Sequence, residues 1–217
     1  MSKTRTRSSA KRERKDDPLF EKALAAVVKG DVVVYPTETF YGLGANALDP
    51  DAVMKVVALK GRDPGNPIPL ILADRKMLAD VVTEAPQAAI RLIDLFWPGP
   101  LTLVLPGRKD LPAPLLNPNG GVGVRVSSHP VAARLARELG RPITATSANP
   151  SGEDPARSYA QALMYFSGAV EVILDGGELA GTRGSTVIEV AGDKFKIIRE
   201  GEISTARLRQ VVPLASA

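Results

Sequence analysis

The sequence predicts an α/β domain built on a mixed β-sheet. Three observations predict it. Short runs of β-branched and aliphatic residues alternate with helix-period stretches over most of the chain, the pattern of strands joined through helical crossovers. Two such runs, Ser185 to Val190 and Phe195 to Arg199, are separated by Ala191-Gly192-Asp193 and read as a closing hairpin, which adds antiparallel pairing. No internal repeat and no linker divides residues 17–217, so they read as one domain behind a short tail, residues 1–16.

In chain order, residues 1–16 are polar, charged and aperiodic and read as disordered, either a weak RNA-attracting arm or a solvated tail. Asp17-Pro18 is a helix start, with Asp as N-cap and Pro at the first helical position. Phe20, Ala23, Leu24, Val27 and Val28 then share one helical face, and Lys29-Gly30 ends the helix. Val32 to Val34 reads as a buried strand that Pro36 must stop, because proline cannot donate to a ladder. Gly42 and Gly44 follow in a polar loop and are expected to turn the chain tightly beneath a ligand. A second Asp-Pro start at Asp49-Pro50 opens a helix carrying Val53, Val56, Val57 and Lys60.

Residues 60–67 form a second polar loop, Ile68 to Ala73 a strand, and Asp74 a further helix start. Pro86 to Phe96 reads as helix, Leu101 to Leu105 as strand, and the Pro- and Gly-rich residues 106–121 as a long surface loop. Val122 to Val126 is a strand bearing Arg125. His129-Pro130 begins a helix that Gly140 stops. Pro142 to Thr146 is a strand running into the polar Ser147-Ala148-Asn149-Pro150-Ser151-Gly152. A helix near Tyr159 to Phe166, a strand from Val170 to Leu174 and the turn Asp175-Gly176-Gly177 precede the hairpin, and Ser204 caps a short last helix.

Composition removes several chemistries. With no Cys there is neither a disulfide frame nor a thiolate; a reducing, cytoplasmic setting fits. No apolar run reaches the roughly 18 residues a membrane span needs. Lys and Arg number 28 against 24 acids, but residues 1–17 hold seven of the former and three of the latter, leaving 21 of each in the body. The basic balance therefore belongs to the tail. His129 is the single histidine; without other soft ligands it makes no zinc site, a Ser-His-Asp system would have to use it, and neither a Gly-x-Ser-x-Gly elbow nor a Walker A loop occurs.

What remains is a scatter of cations, hydroxyls and amides where elements begin or end: Lys60 and Arg62, Arg125 within its strand, Ser147 and Asn149 two apart, Ser185 and Arg199 at the two ends of the hairpin. Each alone also reads as surface charge, a helix cap or an edge charge. Together they suit an anionic substrate, since Arg offers a planar fork for carboxylate or phosphate, Lys a point charge, and Ser, Thr and Asn neutral donors. A pocket of donors without an evident base is what nucleotidyl transfer asks for, where positioning and stabilisation of spreading negative charge dominate.

Five strings, in this order, carry a resemblance: Tyr-Pro-Thr-Glu-Thr-Phe-Tyr-Gly-Leu-Gly-Ala at 35–45, Lys-Gly-Arg at 60–62 with Asn66-Pro67 behind it, Phe-Trp-Pro-Gly-Pro-Leu-Thr at 96–102, Val-Gly-Val-Arg-Val at 122–126, and Thr-Ser-Ala-Asn-Pro-Ser-Gly at 146–152. Over residues 19–205 the chain resembles the YrdC-type threonylcarbamoyl-AMP synthases, in their short, single-domain form. The resemblance implies a twisted, open mixed sheet with flanking helices around a deep concave cavity, similar to the RibB-type fold. It implies a nucleotidyltransferase that converts L-threonine, bicarbonate and ATP into L-threonylcarbamoyladenylate and pyrophosphate. The product serves the N6-threonylcarbamoyladenosine modification of tRNAs reading ANN codons, with a separate threonylcarbamoyl transferase complex as acceptor and Mg2+ arriving with ATP. A non-catalytic RNA-binding module of the same fold is the alternative.

Carried over onto this sequence, the resemblance gives Lys60, Arg62, Ser147 and Asn149 as the catalytic set. It gives Arg62, Asn66, Ser147, Asn149 and Arg199 as nucleotide contacts, and Thr39, Arg125 and Ser185 as threonine contacts. It implies no dedicated protein metal site. Some members carry a His where this chain has Ile71, so one amino-acid contact of those members has no counterpart there.

Overall fold

The computed structural model describes residues 17–61 and 66–215. The tail, residues 1–16, and Arg62 lie outside the described residues.

Helix α1 (Pro18–Val28) starts where Asp17 accepts hydrogen bonds from the amides of Leu19 and Phe20. Helix α2 (Pro50–Lys60) starts in the same way, with Asp49 accepting from Asp51 and Ala52. Each such cap stabilises by about 1 kcal/mol. The buried stripe of α1 is Phe20, Ala23, Ala26 and Val27, while Val28 is 65 % exposed. Ala26 thus joins the buried face in place of the expected Val28, and after the turn at Gly30 the chain enters strand β1 (Val33–Tyr35).

Gly42 and Gly44 do not turn the chain. They form strand β2 (Gly42–Gly44), antiparallel to β1. A Cβ on Gly44 would lie 2.6 Å from the Tyr35 ring, so these glycines make room for a buried tyrosine whose hydroxyl donates to the Thr144 carbonyl at 2.8 Å. The helix expected after Asp74 is a 3-10 segment, Arg75–Asp80. The loop 106–121 is fastened to the core by buried Leu111 and Leu115.

The remaining elements are β3 (Leu70–Leu72), α3 (Gln87–Phe96), β4 (Leu101–Pro106), β5 (Gly121–Val126), α4 (Pro130–Leu139), β6 (Ile143–Thr144), β7 (Thr146–Ser147), α5 (Tyr159–Phe166), β8 (Val172–Ile173), β9 (Thr186–Ala191), β10 (Lys194–Arg199) and α6 (Thr205–Arg209). The strands fall into two mixed sheets, β7-β2-β1-β8 and β10-β9-β4-β5-β3-β6. Residues 143–147 pass from one to the other: β6 pairs with β3, β7 pairs with β2, and Ala145 between them donates its amide to the Pro69 carbonyl at 2.8 Å.

Both faces of the central strands are buried, which is why they read as continuous apolar runs rather than alternating ones. In β1, Val34 joins the larger core with α2, α3 and α5, while Val33 and Tyr35 join a second core under α1 and α4. In β3, Leu70 and Leu72 divide from Ile71 in the same manner.

Candidate functional site

Where the two sheets meet, the polar strand ends enclose a cavity of about 140 Å³. Its walls come from the β1–β2 loop (Thr37, Thr39, Phe40, Tyr41), from Gly42, from Pro69 before β3, and from Arg125 of β5. Ala145, Thr146 and Ser147 at the sheet crossover, Pro155, Gly184 and Ser185 before β9, and Arg199 at the end of β10 complete it. Thr39, Arg125, Ser147, Ser185 and Arg199, scattered over 160 residues of sequence, thus face one hollow.

The β1–β2 loop holds its own shape. Thr37 Oγ1 donates to the Phe40 carbonyl at 2.7 Å and accepts the Thr39 amide at 3.1 Å, and the two threonine hydroxyls are 3.1 Å apart. With the Thr37 hydrogen given to Phe40, the Thr39 hydroxyl donates to Thr37 and keeps lone pairs for a donor in the cavity.

Lys60 and Asn149 stand one layer back. Lys60, the last residue of α2, is 6 % exposed. Its Nζ donates to the Ser147 carbonyl at 2.7 Å, to Ser147 Oγ at 3.1 Å and to Asn149 Oδ1 at 2.6 Å. Ser147 Oγ donates to Asn149 Oδ1 at 2.7 Å, and Asn149 Nδ2 donates to the carbonyls of Pro150 and Glu153. Both amide hydrogens of Asn149 are thereby committed to backbone, and Ser147 presents this buried cation to the cavity. The ammonium at the carboxyl end of α2 also complements the negative end of the helix dipole.

Two arginines face the cavity differently. Arg125 is buried and paired through Nη1 with Glu38, whose second oxygen accepts from Ser127 Oγ. Arg199 donates Nη2 to the Ser185 carbonyl at 2.9 Å and forms no ion pair with any described acid. Its head lies against Gly184, where a Cβ would be 2.9 Å from Nη2. Burial, followed by the charge of Arg125, pushes the Arg199 pKa below its usual value. Arg199 thus gives the hollow a positive charge that no described acid matches. Ser185 Oγ is 2.9 Å from Thr102 Oγ1 in the buried floor.

Asn66 is exposed beside the undescribed residues 62–65 and does not line the cavity. Ile71 is fully buried in the second core and does not line it either; Pro69, two residues earlier, does. Phe40 and Tyr41, part of the 35–45 string but not predicted as site residues, line the cavity, as do Pro69, Ala145 and Gly184, which carry no chemical signal until the walls they form are seen. Among the described residues no three His, Asp or Glu side chains converge on a common point, and no described helix is long and apolar enough to cross a membrane.

The family model Sua5_yciO_yrdC, described as "Telomere recombination", matches residues 25–201. The chain belongs to this family. It is 39 % identical over 199 residues to the threonylcarbamoyl-AMP synthase of Bacillus subtilis, a match covering 91 % of this chain and 57 % of the relative. The solved Sua5 of P. abyssi complexed with L-threonine superposes with a TM-score of 0.86 at 36 % identity, over 90 % of this chain and 58 % of that one. The E. coli YciO structure gives a TM-score of 0.79 at 30 % identity, over 88 % of this chain and 93 % of that one. The chain thus spans under three-fifths of the length of the B. subtilis synthase and of P. abyssi Sua5, and nearly all of YciO. As a Sua5/YciO/YrdC member it has the mixed α/β architecture of these structures, with its polar strand ends gathered at one cavity.

Proposed function

We propose that this protein is an L-threonylcarbamoyladenylate synthase. The observation that carries the reading is the convergence of Thr39, Arg125, Ser147, Ser185 and Arg199 on one hollow, with Lys60 and Asn149 directly behind Ser147. Likeness to the B. subtilis synthase and to a P. abyssi protein solved with L-threonine supports it.

Arg125 takes the threonine carboxylate on its guanidinium edge, a charge-assisted contact. Thr39 offers an acceptor to the amine, and Ser185 completes the amino-acid end. The neutral amine adds to the carbon of CO2 and releases a proton, or adds to that of bicarbonate, where the proton leaves with the displaced hydroxide as water. A carboxylate-like oxygen of the resulting carbamate attacks the α-phosphorus of ATP as the bond to the β-phosphate oxygen breaks, and pyrophosphate leaves. The carbamate is already anionic, so attack needs no strong base. Lys60 acting through Ser147, with Arg62, Asn66 and Arg199, stabilises the phosphate oxygens, whose charge spreads in the transition state. Asn149 fixes Ser147 and Lys60 in place. Mg2+ arrives on the phosphates of ATP rather than in a cage of side chains.

Pyrophosphate release from ATP and bicarbonate, measured with each amino acid in turn, tests this. Threonine-dependent release with threonylcarbamoyl-AMP as product is expected. Absence of release with every amino acid would overturn the reading and leave the family's fold serving as a binding module, as the basic tail would then favour for RNA.

A further inference from the structure

We propose that Glu38 and Ser127 are positioning residues that aim the Arg125 guanidinium for amino-acid capture, an inference that rests on the synthase reading above. Thr37 and Thr39 line the cavity, whereas Glu38 between them does not. The Glu38 side chain is turned behind Arg125, with one carboxylate oxygen on Arg125 Nη1 and the other on Ser127 Oγ. Ser127 is 1 % exposed, and its Oγ also accepts the His129 amide at 3.1 Å, at the start of α4. The clip thus joins the β1–β2 loop of one sheet to β5 and α4 on the other side of the cavity.

Burial sets this pair apart. Its side chains are 6 % and 14 % exposed, while every other ion pair among the described residues has a partner at least 36 % exposed. Burying two charges costs desolvation that a packed apolar pair would avoid, so stability alone is a poor reason for it. A guanidinium is planar and rigid, and fixing one of its N–H edges fixes the direction of the others. Arg125 lines the hollow and Glu38 does not, so holding Nη1 from outside it fixes how the rest of the fork meets a substrate, where small misplacement of a binding group lowers rate steeply.

The test is the split between substrate constants in the threonine-dependent pyrophosphate assay, with thermal melting as the check on folding. Glu38→Ala is expected to raise the KM for L-threonine about tenfold, the weight of one charge-assisted contact, and to leave the KM for ATP within about twofold. Glu38→Gln keeps an acceptor for Arg125 and a donor for Ser127, so its threonine KM should lie nearer wild type than that of Glu38→Ala. Ser127→Ala, which loosens the clip without removing charge, should raise the threonine KM about threefold. It decides the matter alone if Glu38→Ala does not fold. Equal rises in both KM values, an unchanged threonine KM, or a Gln variant as impaired as Ala overturns the positioning role while the synthase reading stands. Wild-type protein that releases no pyrophosphate with any amino acid overturns both.

Discussion

Arg125 and Arg199 look into the same hollow, yet the fold treats them in opposite ways. Arg125 sits within a strand, is 5 % exposed, and has its charge matched by Glu38. Arg199 ends an edge strand, donates to the Ser185 carbonyl, lies against Gly184 and is matched by no described acid. A matched, buried cation is fixed in direction and costly to disturb. An unmatched one at an edge contributes little to folding and keeps its field for an incoming anion. The first suits recognition of a small carboxylate in one orientation, the second a phosphate group.

Removing Arg125 should break this contrast most severely. Arg125→Ala strands the Glu38 carboxylate in a mostly buried place, and urea unfolding should show a loss of about 3 kcal/mol. The double variant with Glu38→Ala should lose less than the sum of the two single losses, since each single change leaves the other charge alone.

Next in size is the glycine packing that holds the β1–β2 loop beneath the chain before β9. A Cβ on Gly181 would meet the Thr39 carbonyl oxygen at 2.5 Å and its Cα at 2.6 Å, backbone that cannot step aside. Gly181→Ala should cost about 2 kcal/mol by overpacking, read by the same unfolding experiment, and should weaken the threonine end with it.

On the other side of the comparison, Arg199→Ala should leave stability within about 0.5 kcal/mol and raise the KM for ATP about tenfold. Gly184→Ala sharpens the point. Its Cβ meets the movable head of Arg199 rather than backbone, so it should shift the ATP KM in the same direction with little loss of stability. An Arg199 variant with a large stability loss and an unchanged ATP KM would reverse the two roles.

The smallest effect concerns His129, behind the Arg125 clip. Its Nδ1 accepts the Val131 amide at 3.3 Å as the cap of α4. Burial holds its pKa below the ordinary 6.5, opposed by the Glu38 charge. The unfolded chain therefore binds the proton more readily, and the stability this site gives is present above 6.5 and lost as pH falls through the folded value. Unfolding midpoints compared between about pH 7.5 and about pH 5 should fall less for His129→Asn, a cap that does not titrate, than for wild type.

Much of the fold was legible because its signals are local. The Asp-Pro starts at 17–18 and 49–50 and the His129-Pro130 helix start stand where they were read, and the hairpin turns one residue tighter, at Gly192-Asp193, with Ala191 in its strand; each acts through neighbours in sequence. Gly42 and Gly44 were misread because the same residue type serves a turn and a close packing contact. Which one applies depends on Tyr35 of the neighbouring strand, and only pairing brings them together.

The sequence by itself determined the α/β class, the alternation of most helices and strands, the absence of thiol chemistry and the stock of cations and hydroxyls at strand ends. Those properties follow from residue type, short-range periodicity and capping, which act within a few residues. Tertiary structure alone decided that β6 and β7 belong to different sheets, that Lys60 reaches the cavity through Ser147, and that one arginine carries a counter-charge while the other does not. These outcomes depend on contacts between groups some 70 residues or more apart, such as Leu70 with Thr144, Lys60 with Ser147 and Glu38 with Arg125. Such contacts arise only when the chain folds both sheets around a shared core, and no local rule encodes them.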